Sequence, residues 1–323
     1  MKAVYASSPG PAANLVYGEL PTPTPGPGQA LVKIVTSGVN FIDVYFRTGL
    51  YKADTPIQLG MEASGVVEAV APDVKTLKPG DRVAYAMARG SYAEYAVVPA
   101  WQLVPLPDGL DFNSAAATML QGMTAHYLSH STFPLQAGNT CIVHAAAGGV
   151  GLLLTQIAKK MGARVIATVG SDSKAELARQ AGADHVVNYS THDFQAEARG
   201  FTAGKGVDVV YDSVGASTFM KSLDSLKPRG MMVTYGNASG PVPAVEPLLL
   251  NQKGSLFLTR PSLGAYAANR EELLWRAGDL FKWILAGELK LRIEHTYPLA
   301  NARRAHEDLE ARKTTGKLLL LVQ

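Results

Sequence analysis

The stretch HAAAGGVGLLLTQIAKKMG, residues 144–162, holds Gly148, Gly149 and Gly151 and then Val150, Leu153, Leu154, Ile157, Ala158 and Met161 at helical spacing. The apolar run CIVHA leads into it. A strand, a tight turn and a helix in that order aim the helix N-terminus, with its free N–H groups and positive dipole end, at whatever the turn holds. Glycine allows a positive φ and lets the backbone touch a pyrophosphate with no Cβ in the way. The chemistry such a turn serves is dinucleotide binding. Its spacing departs from G-x-G-x-x-G, because Ala146 stands where the first glycine would be. Taken alone, the turn also fits a βα connection without a ligand.

The end of the following strand separates the two nicotinamide dinucleotides. An NAD site usually carries an acidic residue there, about 20 residues past the glycines, to hold the ribose 2′-hydroxyl. Here the strand ends IATVGSDSK, so Val169, Gly170 and Ser171 take that place and Lys174 follows one turn into the next helix. A small hydroxyl side chain with a cation suits a 2′-phosphate. Asp172 is the opposing signal, and its expected role is the helix N-cap. NADPH is therefore the expected cofactor.

These residues need elements to hold them. From Thr140 onward TCIVHAA, RVIATVG, HVVNY, GVDVVYDSVG, RGMMVTYGN and GSLFLTRP read as strands, with helical patterns between several of them. That alternation implies a parallel sheet with helices on both faces, and six strands match a doubly wound dinucleotide-binding sheet. The first third differs. QALVKIVTSGVN, ASGVVEAVAPDV, GDRVAYAM and SYAEYAVVP alternate apolar and polar residues between glycines and prolines, and Pro21–Gln29 is a loop. Near Ser114 the pattern turns helical. Toward the C-terminus NREELLWRAGDLFKWILAGEL sets Leu273, Leu274, Ala277, Leu280, Phe281, Ile284 and Leu285 on one helix face, started by Asn269 with Glu272 and stopped by Gly287. A helix over 300–312 then leads to the strand GKLLLLVQ. The expected divisions are 1–123, 124–261 and 262–323, the last completing the first.

The chain has 323 residues and a formal net charge of +3, too small an excess to point to nucleic acid. Cys141 is the single cysteine, so no intramolecular disulfide can form, and its strand context predicts a core thiol. MKAVYASSPG lacks the apolar run of a signal peptide, and no stretch approaches the ~18 apolar residues of a spanning helix, so a soluble cytoplasmic protein is expected. The seven histidines form no metal-binding spacing. Most are expected at the surface or in caps, His126 and His144 included. No nucleophile elbow is present.

Several segments together resemble the medium-chain dehydrogenase/reductase superfamily over nearly the whole chain: SGVNFIDVYFRTGLY, GMEASGVVE, KPGDRVAY, LQGMTAHYL, HAAAGGVG, YDSVG, GNASGPV and NQKGSLFLTRPSL. Within it the chain is similar to the zinc-free NADPH:quinone oxidoreductases related to zeta-crystallin. The resemblance implies a GroES-like β-rich barrel domain interrupted by a Rossmann domain, with the active cleft between them. Zinc-dependent members carry a cysteine and a histidine where this chain has Asn40 and Met61, and with one thiol a four-cysteine lobe is impossible. Asp43 and Glu62 alone do not make a zinc site, so no metal is expected to polarise a substrate oxygen.

By this resemblance Asn40, Tyr45 and Tyr51 position the substrate near the nicotinamide, Asn40 by donating from its amide to a quinone oxygen or to a ribose oxygen of the cofactor and the tyrosines by a flat face and an O–H. Thr124 contacts the nicotinamide ribose region, and Gly148, Gly149 and Val150 hold the pyrophosphate. Ser171, Lys174 and Tyr189 lie at the adenosine phosphate. Ser213, Gly236, Asn237 and Arg260 stand at carboxyl ends of sheet strands, where ligands bind in open α/β sheets. Arg260 is read as a bidentate phosphate contact, as a residue that closes the cleft, or as a surface ion pair. Lys317 is a weaker cofactor candidate. The implied activity is NADPH-dependent reduction of quinones, acceptors electrophilic enough to need no metal. An enoyl or 2-alkenal reductase keeps the cofactor and changes the acceptor. An RNA-binding or crystallin-like structural role is the alternative of another class, and the resemblance also implies a homodimer.

Overall fold

The computed structural model of the chain describes residues 1–322. Its strands are β1 (Lys2–Ala6), β2 (Leu15–Glu19), β3 (Gln29–Val39), β4 (Ile57–Gln58), β5 (Glu62–Val70), β6 (Arg82–Ala86), β7 (Tyr95–Pro99), β8 (Val104–Pro105), β9 (Thr140–Val143), β10 (Arg164–Val169), β11 (His185–Asn188), β12 (Val207–Asp212), β13 (Leu226–Thr234), β14 (Phe257–Thr259), β15 (Ile293–Pro298) and β16 (Lys317–Leu321). The helices are α1 (Phe41–Thr48), α2 (Phe112–Tyr127), α3 (Gly149–Lys160), α4 (Asp172–Gln180), α5 (Phe194–Phe201), α6 (Phe219–Ser225), α7 (Pro247–Gln252), α8 (Leu263–Tyr266), α9 (Arg270–Leu285) and α10 (Ala302–Glu310). Two compact units result, one from Met1–Met123 with Ala267–Gln323 and one from Thr124–Tyr266.

The first unit is β-rich and GroES-like. Its larger sheet runs β15-β16-β3-β5-β6-β8, with β7 also on β3. β3 is long enough to serve two partners on one edge. Its residues Gln29–Lys33 pair with β7 and Thr36–Val39 with β16. Alternate residues Ala30, Val32 and Ile34 turn into a core with Val67, Val83, Tyr85 and Val98. The β16–β3 register sets Leu318 against Val39, and the β3–β5 register sets Ser37 against Ala63. Lys317, Asn40 and Glu62, far apart in sequence, therefore meet at one end of β3. Helix α9 starts and stops as expected. Asn269 accepts from the Glu272 N–H (2.9 Å), and Gly287 takes φ 71° past the last turn.

The second unit is a six-stranded parallel sheet in the order β11-β10-β9-β12-β13-β14. This is the doubly wound order with a switch point between β9 and β12. Its buried strands are the expected near-continuous apolar runs. The expectation for two of the histidines needs correction, because His126 and His144 are wholly buried, as is His306. His144 sits between the hydroxyls of Thr168 (2.7 Å) and Ser222 (2.9 Å). Burial holds its imidazole below the usual range, so it is a neutral, hydrogen-bonded core group.

Candidate active site

In the second unit α3 begins directly at the glycine turn. Gly148 is its N-cap, extended at φ −79° and ψ 171°, and no side chain caps the helix. The first N–H groups of α3 are therefore left without a side-chain cap. Among residues 144–151 the left-handed residue is Ala145 (φ 50°), so the glycines here do not serve positive φ. They serve close approach. A Cβ on Gly151 would lie 2.7 Å from Ala146 Cα and strike the Ala145 carbonyl, so only glycine lets α3 pack this tightly on its strand.

The turn after β10 gathers Ser171, Lys174 and Tyr189. Ser171, not Asp172, is the N-cap of α4, accepting from the Lys174 N–H (3.4 Å). A serine one residue earlier completes the cap, so Asp172 is left to accept from Asn188 Nδ2 (2.9 Å). The Tyr189 phenol lies over Gly170, where a Cβ would come within 2.8 Å of its oxygen. The Ser171 hydroxyl and the Tyr189 phenol thus lie on the turns that follow β10 and β11, with Lys174 in the first turn of α4.

Ser213, Gly236, Asn237 and Arg260 meet at the carboxyl ends of β12, β13 and β14. Gly236 abuts the Ser213 backbone, where a Cβ would stand 2.8 Å from Ser213 Cα. Beneath them the buried Asp212 carboxylate accepts from the N–H groups of Val214 (2.7 Å) and Gly215 (3.0 Å) and from Thr218 Oγ1 (2.7 Å), which fixes the loop. Arg260 donates to the Thr234 carbonyl (2.9 Å). With its carboxamide oriented to donate to the Gly236 carbonyl, Asn237 accepts from Arg260 Nη2 (3.3 Å). Arg260 has no carboxylate partner among the described residues, so the surface ion-pair reading does not hold. Thr124, in the last turn of α2, is buried.

In the first unit Asn40 caps α1 in a reciprocal capping box with Asp43. Its carboxamide is used internally. Nδ2 donates to Glu62 Oε1 (2.9 Å), while Oδ1 accepts from Gln121 Nε2 (3.2 Å) and Lys317 Nζ (3.0 Å). Lys317 also contacts Glu62 Oε1, and Glu62 Oε2 accepts from the Leu120 N–H (2.5 Å). Burial pushes the Lys317 ammonium down to about 7, against the pull of Asp43. Burial likewise pushes the Asp43 carboxyl up to about 7, opposed by donors from Asn40, Tyr92 and Gly60. Tyr45 is buried on α1 and meets Tyr51 edge-on, ring centroids 5.4 Å apart.

Sequence reasoning did not single out Gln121, His306 or Arg47. Gln121 carried a signal, since it lies one helical turn before Thr124 in LQGMTAH. His306 and Arg47 meet only through folding.

A glycine turn on a doubly wound sheet, joined in one chain to a GroES-like unit, defines a nucleotide-dependent dehydrogenase or reductase of two units. The family model for the alcohol dehydrogenase GroES-like domain matches residues 26–108 and that for zinc-binding dehydrogenase matches residues 149–273. A quinone oxidoreductase of Pseudomonas aeruginosa is 47% identical over 319 residues, covering 98% of each chain. A 2-haloacrylate reductase of a Burkholderia species is 43% identical, covering 100% of this chain and 99% of its own. The solved structure of Escherichia coli quinone oxidoreductase complexed with NADPH matches with a TM-score of 0.98 at 42% identity, over 99% of this chain and 100% of that one. The chain belongs to the quinone oxidoreductase family of the medium-chain dehydrogenases/reductases.

Zinc, which one of the matching family models carries in its name, does not fit these residues. The positions that correspond to ligands hold Asn40 and Met61, and an ammonium already occupies the Asn40 oxygen. Cys141 lies wholly buried in β9, its thiol pushed up to about 12 by burial. Among the described residues no group of three or more His, Cys, Asp and Glu is placed to hold a metal. NADPH does fit, on the uncapped α3 N-terminus and the Ser171–Lys174–Tyr189 turn.

Proposed function

We propose that this protein is an NADPH-dependent quinone oxidoreductase that works without zinc. The observation that carries the reading is the Lys317 ammonium seated on Asn40, where a metal-dependent relative would hold a ligand. Without a Lewis acid, the acceptor itself must be electrophilic, and quinones are. The bound nicotinamide supplies the hydride. Gly148, Gly149 and Val150 hold the pyrophosphate, Ser171, Lys174 and Tyr189 the 2′-phosphate, and Thr124, Ser213, Gly236, Asn237 and Arg260 the remainder of the cofactor. Tyr45 and Tyr51 offer the acceptor an aromatic face, and Asn40, held by Lys317, helps to position it.

A second reading, reduction of a conjugated carbon–carbon double bond, is favoured by the likeness to a 2-haloacrylate reductase over the whole chain. Steady-state turnover of 1,4-benzoquinone against trans-2-hexenal separates the two. Higher kcat/KM on the quinone supports the first reading, and turnover of the enal alone supports the second. We also propose a homodimer through the free edge of β14, where Phe257 is 56% exposed. A cytoplasmic setting accords with the lone, buried thiol, and among the described residues no helix is long and apolar enough to cross a membrane.

A further inference from the structure

Glu62 is wholly buried, and Lys317 is 3% exposed. An unpaired charge in such a place is expensive, so each answers the other. The pair also governs a neutral neighbour. The Asn40 carboxamide lies between them, its oxygen on the ammonium (3.0 Å) and its nitrogen on the carboxylate (2.9 Å). Turned over, the amide would set donor against donor and acceptor against acceptor. The pair therefore admits one orientation of Asn40, and Gln121 Nε2 on the same oxygen reinforces it. Room for the carboxylate depends on Gly38, because a Cβ there would come within 2.6 Å of Glu62 Cδ.

We infer that Lys317 is the resident cation of this site, an ammonium that takes over from a metal the tasks of neutralising Glu62 and orienting residue 40. It is a positioning residue that acts through Asn40. A free ammonium would need water or a ligand to balance it, whereas this one is balanced from within the fold. Its place is set by the pairing of β16 with β3, so the last strand of the chain completes the site.

The test compares Lys317→Met, Glu62→Gln and the double variant with the wild type. Thermal midpoint, NADPH affinity by fluorescence and kcat/KM for whichever acceptor the wild type turns over are the readouts. Each single variant leaves one charge buried and unanswered, so each midpoint should fall by about 5 °C or more. The double variant should regain most of that loss. Its kcat/KM should stay down by about tenfold or more, with NADPH affinity within about twofold of the wild type, because Asn40 has lost its guide. If Lys317→Met melts like the wild type, Lys317 does not neutralise Glu62. If the double variant regains kcat/KM together with its midpoint, the pair is structural only and the positioning role fails. The kinetic arm rests on the proposed reaction only for its acceptor, so a wild type that prefers the enal overturns that reading and leaves this one standing. Lys317→Ala supplies a second measurement. Methylammonium chloride should raise its midpoint and turnover, while an equal response to tetramethylammonium chloride would contradict a hydrogen-bonded cation site.

Discussion

The Arg47 guanidinium offers only donors, and its Nη1 lies 3.2 Å from His306 Nδ1, so that ring nitrogen must accept. The proton of the neutral imidazole is then on Nε2, which donates to Tyr92 Oη (3.1 Å), and Tyr92 donates to Asp43 Oδ2 (3.2 Å). Bidentate contacts from Arg47 to Glu310 (2.7 and 2.8 Å) tie the same chain to α10. This line of donors clamps α1, the helix that carries Tyr45 and begins at Asn40. Burial and then Arg47 push His306 down to about 3 from 6.5. The unfolded chain therefore binds a proton that the folded one refuses, and stability is lost as pH falls from about 6.5 toward 3. In urea melts at pH 7 and pH 4.5, the wild type should lose more stability than His306→Gln across that interval. Asp43, raised by burial, works in the opposite direction but is common to both proteins. An equal loss in the two would contradict the neutral assignment. At the cofactor end Lys174→Ala should raise the KM for NADPH about tenfold and leave that for NADH nearly unchanged. That Ser171, Ser213, Gly236 and Arg260 stand just past strand ends was legible because each follows an apolar run at a fixed offset. The internal engagement of Asn40 was not, since its partners Glu62, Gln121 and Lys317 are 22, 81 and 277 residues away.

Elements were legible where their signal is local. The period of the apolar residues after Gly148, the Asn269 cap and the run of six strands each describe a stretch that the structure also forms. The end of the helix expected over 300–312 falls at Glu310, and the cap of α4 falls on Ser171, offsets of the size that competing cap residues produce. Strand pairing carries no such local mark. Nothing in GKLLLLVQ says that it will lie against SGVN, yet that register completes the polar site. The glycine turn is the element most open to test. Gly151→Ala would press a methyl group against Ala146 and force α3 away from β9. A loss of roughly 1–3 kcal/mol in stability is expected, with NADPH affinity down by at least about tenfold. Unaltered affinity, measured by fluorescence titration, would show that the close packing does not serve the cofactor.

Across the whole molecule the two family models, the near-complete coverage by relatives and the six-stranded order agree on one architecture. The proposed homodimer predicts that Phe257→Asp, at the edge strand, shifts the mass measured by light scattering from two chains toward one. A mass of one chain in the wild type would refute the pairing. Zinc-free chemistry is the central claim, and it rests on Asn40, Met61 and an internal ammonium in place of a metal. The measurement that addresses it most directly is NADPH-dependent turnover of 1,4-benzoquinone before and after exhaustive chelation, with metal content determined on the same samples. Undiminished turnover with no stoichiometric zinc is the predicted result. Activity that disappears with chelation and returns on adding zinc would contradict it.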